Sequence, residues 1–379
     1  MKIAAVTTVR NESDIVESFV RHNAAFIDRL YILDHRSTDS TPAILRRLIE
    51  EGLPLTASRE DDGIFRQGPT MTRLIKRAME DDGWNFILPL DCDEFLRIES
   101  RSSLERALAE LDGASVGSCD VVNYIPYADD DSSECDVLRR IVHRVRTIPE
   151  LSCKIRKVII PAAVVARAGF SLHEGHHGVQ IDGKRAREQR VGELELAHFP
   201  VRSIEQFAHR AIVCSLAWYS RSDYNPHWGW HYRKFCDQIK RKPALSADDL
   251  TEAALLYVDI YLETGSVRHQ KIRVRDPVAP RYERLRFADL VEVNVLPPVI
   301  DMAEFLMGEL RELQLAAGGA ADPSDISRPH TALAQQIAEN KRLRARLDDI
   351  VGSTSWRVTA PLRIAKQYIA ELTRIGTKR

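Results

Sequence analysis

Two carboxylates stand two positions apart where an apolar run ends: FILPL is followed directly by Asp91, Cys92, Asp93 and Glu94. Alternation along a strand would send Asp91 and Asp93 to the same face, and two acids cannot share a core without a large charge penalty. A divalent cation offsets that penalty. Oxygen ligands of this kind suit Mg2+ or Mn2+, which bridge the two phosphates of a diphosphate and stabilise it as a leaving group. A capping or salt-bridging turn is the other reading of the same spacing, and the place of the acids after an apolar strand favours the cation. Further along, His198 lies in LELAHFPVRSIEQF, where a neutral imidazole could complete a metal site and Arg202 could hold a phosphate, or where the histidine is a hydrogen-bonding residue at a strand end. Glu174, beside His173, and Glu94 are candidate general bases for an acceptor hydroxyl. The HEGHH segment, residues 173–177, has the H-E-x-x-H spacing of a zinc protease, but Gly175 and Gly178 break the helix that would bring its histidines onto one face. Trp218, Tyr219, Tyr224, Trp228 and Trp230, near His227, could stack on a sugar, and core packing explains them equally well.

Elements that could position these groups follow from the pattern. Lys2 to Val9 is a β-branched apolar run and reads as a buried parallel strand. Apolar residues at helical spacing then predict helices over Ser13–Phe26, Thr38–Glu51 and Met71–Glu80, separated by strands at Arg29–Leu33, Leu53–Ser58 and Asn85–Leu90. Pro42 in a first turn and Gly52 after a last one mark the second helix. This alternation specifies a mostly parallel sheet with helices on both faces, and in such sheets ligands gather at the carboxyl ends of the strands. Those ends carry Arg10-Asn11-Glu12, Asp34 to Asp39, Arg59 to Asp62 and Asp91 to Glu94. β-Rich segments are expected at Asp120–Tyr127, Lys154–Ile160 and Val164–Leu172, and helices at Ser203–Ser220 and Asp248–Glu263. GGAADPSDISRP reads as a linker, and Thr331–Val351 as an amphipathic or coiled-coil helix for oligomerisation or docking.

Bulk composition narrows the classes. Lys and Arg number 54 against 55 Asp and Glu, so no global field draws the chain to nucleic acid. The six cysteines, at 92, 119, 135, 153, 214 and 236, form no C-x-x-C pair and read as reduced thiols. The opening lacks a secretory signal and no window of about 18 apolar residues occurs, so a cytoplasmic protein, at most peripheral to a membrane, is expected. Phosphate-loop, dinucleotide-fingerprint and nucleophile-elbow motifs are missing from the sequence, which removes the main support for NTPase, oxidoreductase and α/β-hydrolase readings.

The segments VRNESDIVESFVRHNAAFIDRLYILDHRSTDSTPAIL, FILPLDCDEFL and AHFPVRSIEQF are similar to the glycosyltransferase family 2 type, in the branch related to family 92 and DUF23-like enzymes. The resemblance covers roughly residues 1 to 215. It implies an α/β GT-A fold, a nucleotide-diphospho-sugar donor, a divalent metal (Mn2+ or Mg2+) and inversion at the anomeric carbon. Position by position, it sets Asn11 and Glu12 against the nucleoside and Asp34 near base or ribose, and it matches Asp39 to the second acid of the family's D-x-x-S-T-D stretch in the nucleotide-sugar site. It makes Asp93 the direct metal ligand, with Asp91 nearer the ribose or a metal-bound water. His198 matches the family's histidine, and Arg202 stands where lysine is usual. The family's proton-accepting carboxylate has no motif here. STSWRVTAPLRIAKQYI resembles a tail on bacterial surface-polysaccharide glycosyltransferases, suited to a membrane surface or to partner docking.

The resulting expectation is a sugar transferase acting on a glycan or lipid-linked acceptor. Its core is residues 1–235, followed by a helical extension (236–315), a linker (316–330) and a C-terminal tail (331–379). A nucleotidyltransferase or phosphohydrolase, and a non-catalytic sugar-nucleotide-binding scaffold, are the rival readings.

Overall fold

The computed structural model describes residues 1–60, 65–81, 83–146, 156–221, 229–242, 244–261 and 272–318. Cys153, Tyr224, His227, Trp228, the linker from residue 319 onward, the Thr331–Val351 helix and the STSWR tail lie outside the described residues. Two compact units divide the chain, residues 1–306 and 307–379, and of the second the described part is the end of one helix.

The first unit opens as the periodicity predicts. β1 (Ile3–Val9), β2 (Arg29–His35), β3 (Leu55–Glu60) and β4 (Phe86–Pro89) alternate with α1 (Val16–Asn23), α2 (Thr41–Glu50) and α3 (Gln67–Ala78). β5 (Glu94–Arg97), α4 (Arg101–Ala109), β6 (Val116–Asn123), α5 (Val137–Arg140), β7 (His143–Val145) and β8 (Lys157–Pro161) follow. Then come α6 (Ala162–Val165), β9 (Ser171–Leu172), β10 (Val179–Ile181), β11 (Lys184–Arg185) and β12 (Glu188–His198). Helices α7 (Ile204–Tyr219), α8 (Trp230–Arg241) and α9 (Ala247–Tyr261), strand β13 (Arg273–Arg275) and helix α10 (Leu296–Gly318) complete the described chain.

An eight-stranded sheet runs in the order β3-β2-β1-β4-β8-β6-β12-β5. β3, β2, β1 and β4 are parallel, as are β6 and β12, while β8 is antiparallel to both its neighbours and β5 is antiparallel to β12. The fold is α/β with a large, mostly parallel sheet flanked by helices, as the sequence led one to expect. Strand alternation builds its two cores. Ile3, Ala5 and Val9 of β1 with Leu30 and Ile32 of β2 pack on Phe19, Ile44 and Leu48 of α1 and α2. Ala4, Val6, Tyr31 and Leu33 face the other way, onto Met71, Leu74, Ile75 and Ala78 of α3. Both faces of β1 are thus covered, which is why it reads as a continuous apolar run.

Two expectations shift. Val164 and Val165 enter the second core from the helical turn α6 after Pro161, so strand structure in the Val164–Leu172 stretch is confined to Ser171–Leu172. α8 was not foreseen, and the expected boundary at 235/236 falls inside it. The register of β12 against β6 shifts between Arg190 and Glu195. Among the described residues no helix is long and apolar enough to cross a membrane.

Candidate functional site

The acidic turn joins β4 to β5 and is closed from both sides: the Glu94 N–H donates to the Asp91 carbonyl at 3.0 Å, and the Asp91 N–H donates to Glu94 Oε2 at 2.9 Å. Its two aspartates have different partners. Asp91 Oδ2 accepts from Lys157 Nζ at 2.6 Å, and Oδ1 accepts from Gln67 Nε2 at 2.8 Å. Lys157 opens β8, is 1% exposed, and also lies 2.9 Å from Glu94 Oε1. Burial pushes the Asp91 carboxyl up, but the Lys157 ammonium outweighs it and holds the group down at about 2. Glu94 is fully buried, and burial lifts it to about 7 despite the same ammonium. Its observed contacts hold the turn; they do not present it to a substrate.

Asp93 belongs to a second cluster. Its carboxylate is 1% exposed; Oδ2 meets Arg210 Nη1 at 2.5 Å and lies 3.8 Å from Arg202 Nη1. Arg202 forks onto Asp14 (2.6 and 2.9 Å) and Glu12 (2.6 Å). Burial opposes the Asp93 charge, yet Arg210, His198 and Arg202 hold its carboxyl well below the usual range. Burial raises Glu12 to about 7 in spite of the two arginines. The local sequence explains the placement. Ser203 caps α7 by accepting from the Gln206 N–H at 3.1 Å, and Gln206 Oε1 accepts from the Arg202 N–H at 3.1 Å. Arg202 is thereby fixed at the mouth of α7, and Arg210 comes from its second turn.

His198 reaches this cluster because the register pairs it with Glu94 across β12 and β5. Its Nδ1 lies 2.7 Å from Asn123 Oδ1 and donates to it, which turns Nε2 toward Asp93. Nε2 is 3.5 Å from Asp93 Oδ1, a buried atom with no hydrogen bond. A buried carboxylate oxygen facing an imidazole nitrogen at this distance is satisfied by a proton on Nε2 or by a cation shared with it.

The other sequence-singled residues lie at the neighbouring strand ends. Asn11 adopts a left-handed conformation (φ 55°), and its Oδ1 accepts from the Thr38 and Asp39 N–H groups at 2.7 and 3.3 Å. Asp34 accepts from the Ser37 N–H (3.1 Å) and Arg59 Nη1 (2.9 Å), and Asp39 from the Ser13 and Thr41 N–H groups, both at 3.0 Å. Asp34 and Asp39 thus brace the loop after β2. In HEGHH, Glu174–His176 is a single 3-10 turn, with Gly175 and His176 both at positive φ. Glu174 is 29% exposed, accepting from the Gly68 N–H at 3.2 Å and Arg221 Nη1 at 3.1 Å. The same turn is tied to Asp91, since Gln67 also accepts from the Gly175 N–H at 2.9 Å. His176 is fully buried, 3.7 Å from Asp91, and burial pushes its pKa down to about 4. Tyr219 and Trp230 are exposed, as the stacking alternative requires. Of the six cysteines, the five described ones are free thiols.

Sequence reasoning missed Lys157, Arg210, Asn123, Gln67 and Arg221. Lys157 alone left a trace, as a charge opening the apolar run KVIIP.

No protein-family model matches the chain, and no curated protein matches it. Among solved structures it is similar to TarS of S. aureus (14% identity, 63% of this chain, TM-score 0.35), and it spans 43% of that chain's length. It is also similar to TarS residues 1–349 in complex with UDP-GlcNAc (13% identity, 63% of this chain and 72% of that chain, TM-score 0.33). A third is the mannosyltransferase PcManGT from Pyrobaculum calidifontis in complex with GDP-Man and Mn2+ (11% identity, 100% of this chain and 88% of that chain, TM-score 0.33). Likenesses at these TM-scores carry no weight for the chemistry, which rests on the geometry.

Proposed function

We propose that this protein is a glycosyltransferase that moves a sugar from a nucleotide diphosphate to a hydroxyl of a glycan or lipid-linked acceptor, assisted by Mn2+ or Mg2+. The facing pair of Asp93 Oδ1 and His198 Nε2, at the carboxyl-end rim of the sheet, carries the reading. Charge supports it: above about pH 7, where Glu12 is ionised, Asp93, Glu12 and Asp14 outnumber Arg202 and Arg210, so the cluster keeps a negative excess. Among the described residues no three His, Cys, Asp or Glu side chains converge on one point. Asp93 and His198 would hold the ion, with the donor's phosphates and water completing its shell, as is common for Mg2+. An ion held by Asp93 and His198 would supply positive charge to offset that developing on the leaving diphosphate.

The chain's own groups have separate tasks. Lys157 and Gln67 fix Asp91, whose quarter-exposed carboxylate receives a ribose hydroxyl. Asn11, Glu12, Asp34 and Asp39 shape the nucleoside end, and Arg202 holds Glu12 and Asp14 while adding positive charge near the phosphates. Glu174, set by the Gly68 N–H and Arg221, takes the acceptor proton. The acceptor oxygen bonds to the anomeric carbon, the bond from that carbon to the diphosphate breaks, and the nucleoside diphosphate leaves with the electron pair. Attack opposite the leaving group inverts the centre. Glu94, the other carboxylate of the set, serves by holding the Asp91 turn.

The test is nucleoside diphosphate release from a panel of nucleotide sugars with Mn2+, for the parent and for Asp93→Asn. We expect a fall of about 100-fold or more and loss of the Mn2+-dependent rise in melting temperature. Full turnover in Asp93→Asn would overturn the assignment.

A further inference from the structure

Two guanidinium groups at the ends of β1 and β2, Arg10 and Arg36, have no task in the transfer proposed above. Asp301 on α10 bridges them, Oδ2 accepting from Arg10 Nη2 and Oδ1 from Arg36 Nη2, each at 3.0 Å. The contact belongs to a longer crossing. Ser13 Oγ donates to the Glu292 carbonyl at 2.9 Å and accepts from its N–H at 3.3 Å, and Arg36 stacks 4.5 Å from the Phe305 ring centre.

Residues 292–305 therefore lie over the loops after β1 and β2. The cavity left between Asn11, Thr38 and Asp39 on one side and Asn294, Pro297 and Pro298 on the other is about 20 Å3. That admits one water and no nucleoside. Below the crossing, Arg10 Nε and Asn11 Nδ2 are buried donors with no hydrogen bond. Buried donors are rarely left so. Burial also works against the Arg10 charge, while Asp301 supports it. Two guanidinium groups bridged by one carboxylate, unmade donors on Arg10 and Asn11, and a segment crossing above them coincide at strand ends where this class of sheet binds ligands. Asn11 and Arg36 are both held at positive φ, a strain that concentrates at ligand clamps.

We propose that Arg10 and Arg36 form a phosphate-binding site occupied by Asp301 as an intramolecular competitor, so that residues 292–305 are a strap displaced by a diphosphate-bearing ligand. The inference rests on reading this crevice as a nucleotide-diphosphate site. A diphosphate brings more charge and more acceptor oxygens than one carboxylate, and guanidinium groups match phosphate in forked pairs. While the strap is closed, the apparent affinity is lowered by the fraction of molecules that are open.

Calorimetric titration of the full chain with inorganic pyrophosphate tests this, with amide exchange followed over residues 292–305. Asp301→Asn should bind pyrophosphate about 10-fold more tightly than the parent. Adding Arg36→Gln to that variant should cancel the gain. Phe305→Ala, which loosens the strap without touching its charges, should also tighten binding, and it decides the matter if Asp301→Asn does not fold. In the parent, saturating pyrophosphate should speed exchange along the strap. Unchanged or weaker binding by the folded variants, or unchanged exchange at saturation, overturns the proposal. Nucleoside diphosphate release is measured separately. Turnover without a strap effect sinks only the strap; a strap effect without turnover on any donor sinks the transfer reading and leaves the phosphate site standing.

Discussion

Replacing Lys157 with methionine keeps a chain of similar length but removes the ammonium group that Asp91 and Glu94 share at 2.6 and 2.9 Å. Removing one partner of a buried ion pair costs about 3–5 kcal/mol. Two features of the site divide that cost by pH. Asp91 stays ionised throughout the useful range and is a quarter exposed, so its share is partly recovered from water. Glu94 is fully buried and already lifted to about 7 by burial, so below neutrality it is protonated in the parent and loses little when the cation goes. The sign follows from proton counting. An acid whose folded pKa lies above its unfolded value, about 4.3, binds more protons when folded, so stability falls as pH rises through that window. Without Lys157 the folded pKa of Glu94 rises further and the window extends above 7. The deficit of Lys157→Met should therefore be about 1–2 kcal/mol near pH 5.5, where Asp91 alone is orphaned, and about 3–5 kcal/mol near pH 8.5. Urea unfolding followed by circular dichroism at both pH values measures it. Equal deficits at the two, or one below about 1 kcal/mol at the higher pH, would refute the shared-cation reasoning.

Two further outcomes are expected. A Cβ added at Gly68 would lie 2.9 Å from the Leu172 carbonyl oxygen, so Gly68→Ala must push α3 from the segment leading to Glu174. It should cost about 1–3 kcal/mol in thermal unfolding and lower donor turnover more than donor binding; an unchanged turnover number would detach Glu174 from the chemistry. Arg202→Lys keeps the charge but loses the fork onto Asp14 and Glu12, and should cost about 1.5–3 kcal/mol in urea unfolding. A variant as stable as its parent would show that charge alone suffices.

What the sequence disclosed is what local periodicity encodes. The β1-to-β4 series announced itself because each element is short, amphipathic or fully apolar, and closed by polar residues, so Asn11, Asp34 and the acidic turn could be assigned to one rim before any coordinates. The pairing of His198 with Asp93 was legible through the family-like segment AHFPVRSIEQF, and β12 delivers it. Arg210 was not, because one arginine on an amphipathic helix carries no mark of the distant carboxylate it meets. Lys157 was passed over for a similar reason: a lysine opening an apolar strand is ordinarily an exposed end, and here β8 is enclosed by β4 and β6 in the middle of the sheet. α8 escaped because the aromatic residues around it drew a ligand-stacking interpretation, although Phe235 and Cys236 pack into the core. Asp301 lies far along the chain in a helix with no motif, and only the tertiary fold brings it to Arg10.

The irregularity in β12 has a consequence for how this chain can vary. From Arg190 to Glu195 the strand uses five steps where β6, from Ser118 to Asp120, uses two. Val191 and Leu194 anchor the surplus in the core, while Gly192 and Glu193 between them are exposed, and a side chain added at Gly192 meets nothing within 4 Å. The slack lies upstream of the segment that aims His198. Residues gained or lost at the exposed tip would alter the size of the kink and leave the imidazole where it is, whereas one residue lost between Glu195 and His198 would turn it to the opposite face. Length tolerance and the aim of the His198 ring are assigned to different halves of one strand.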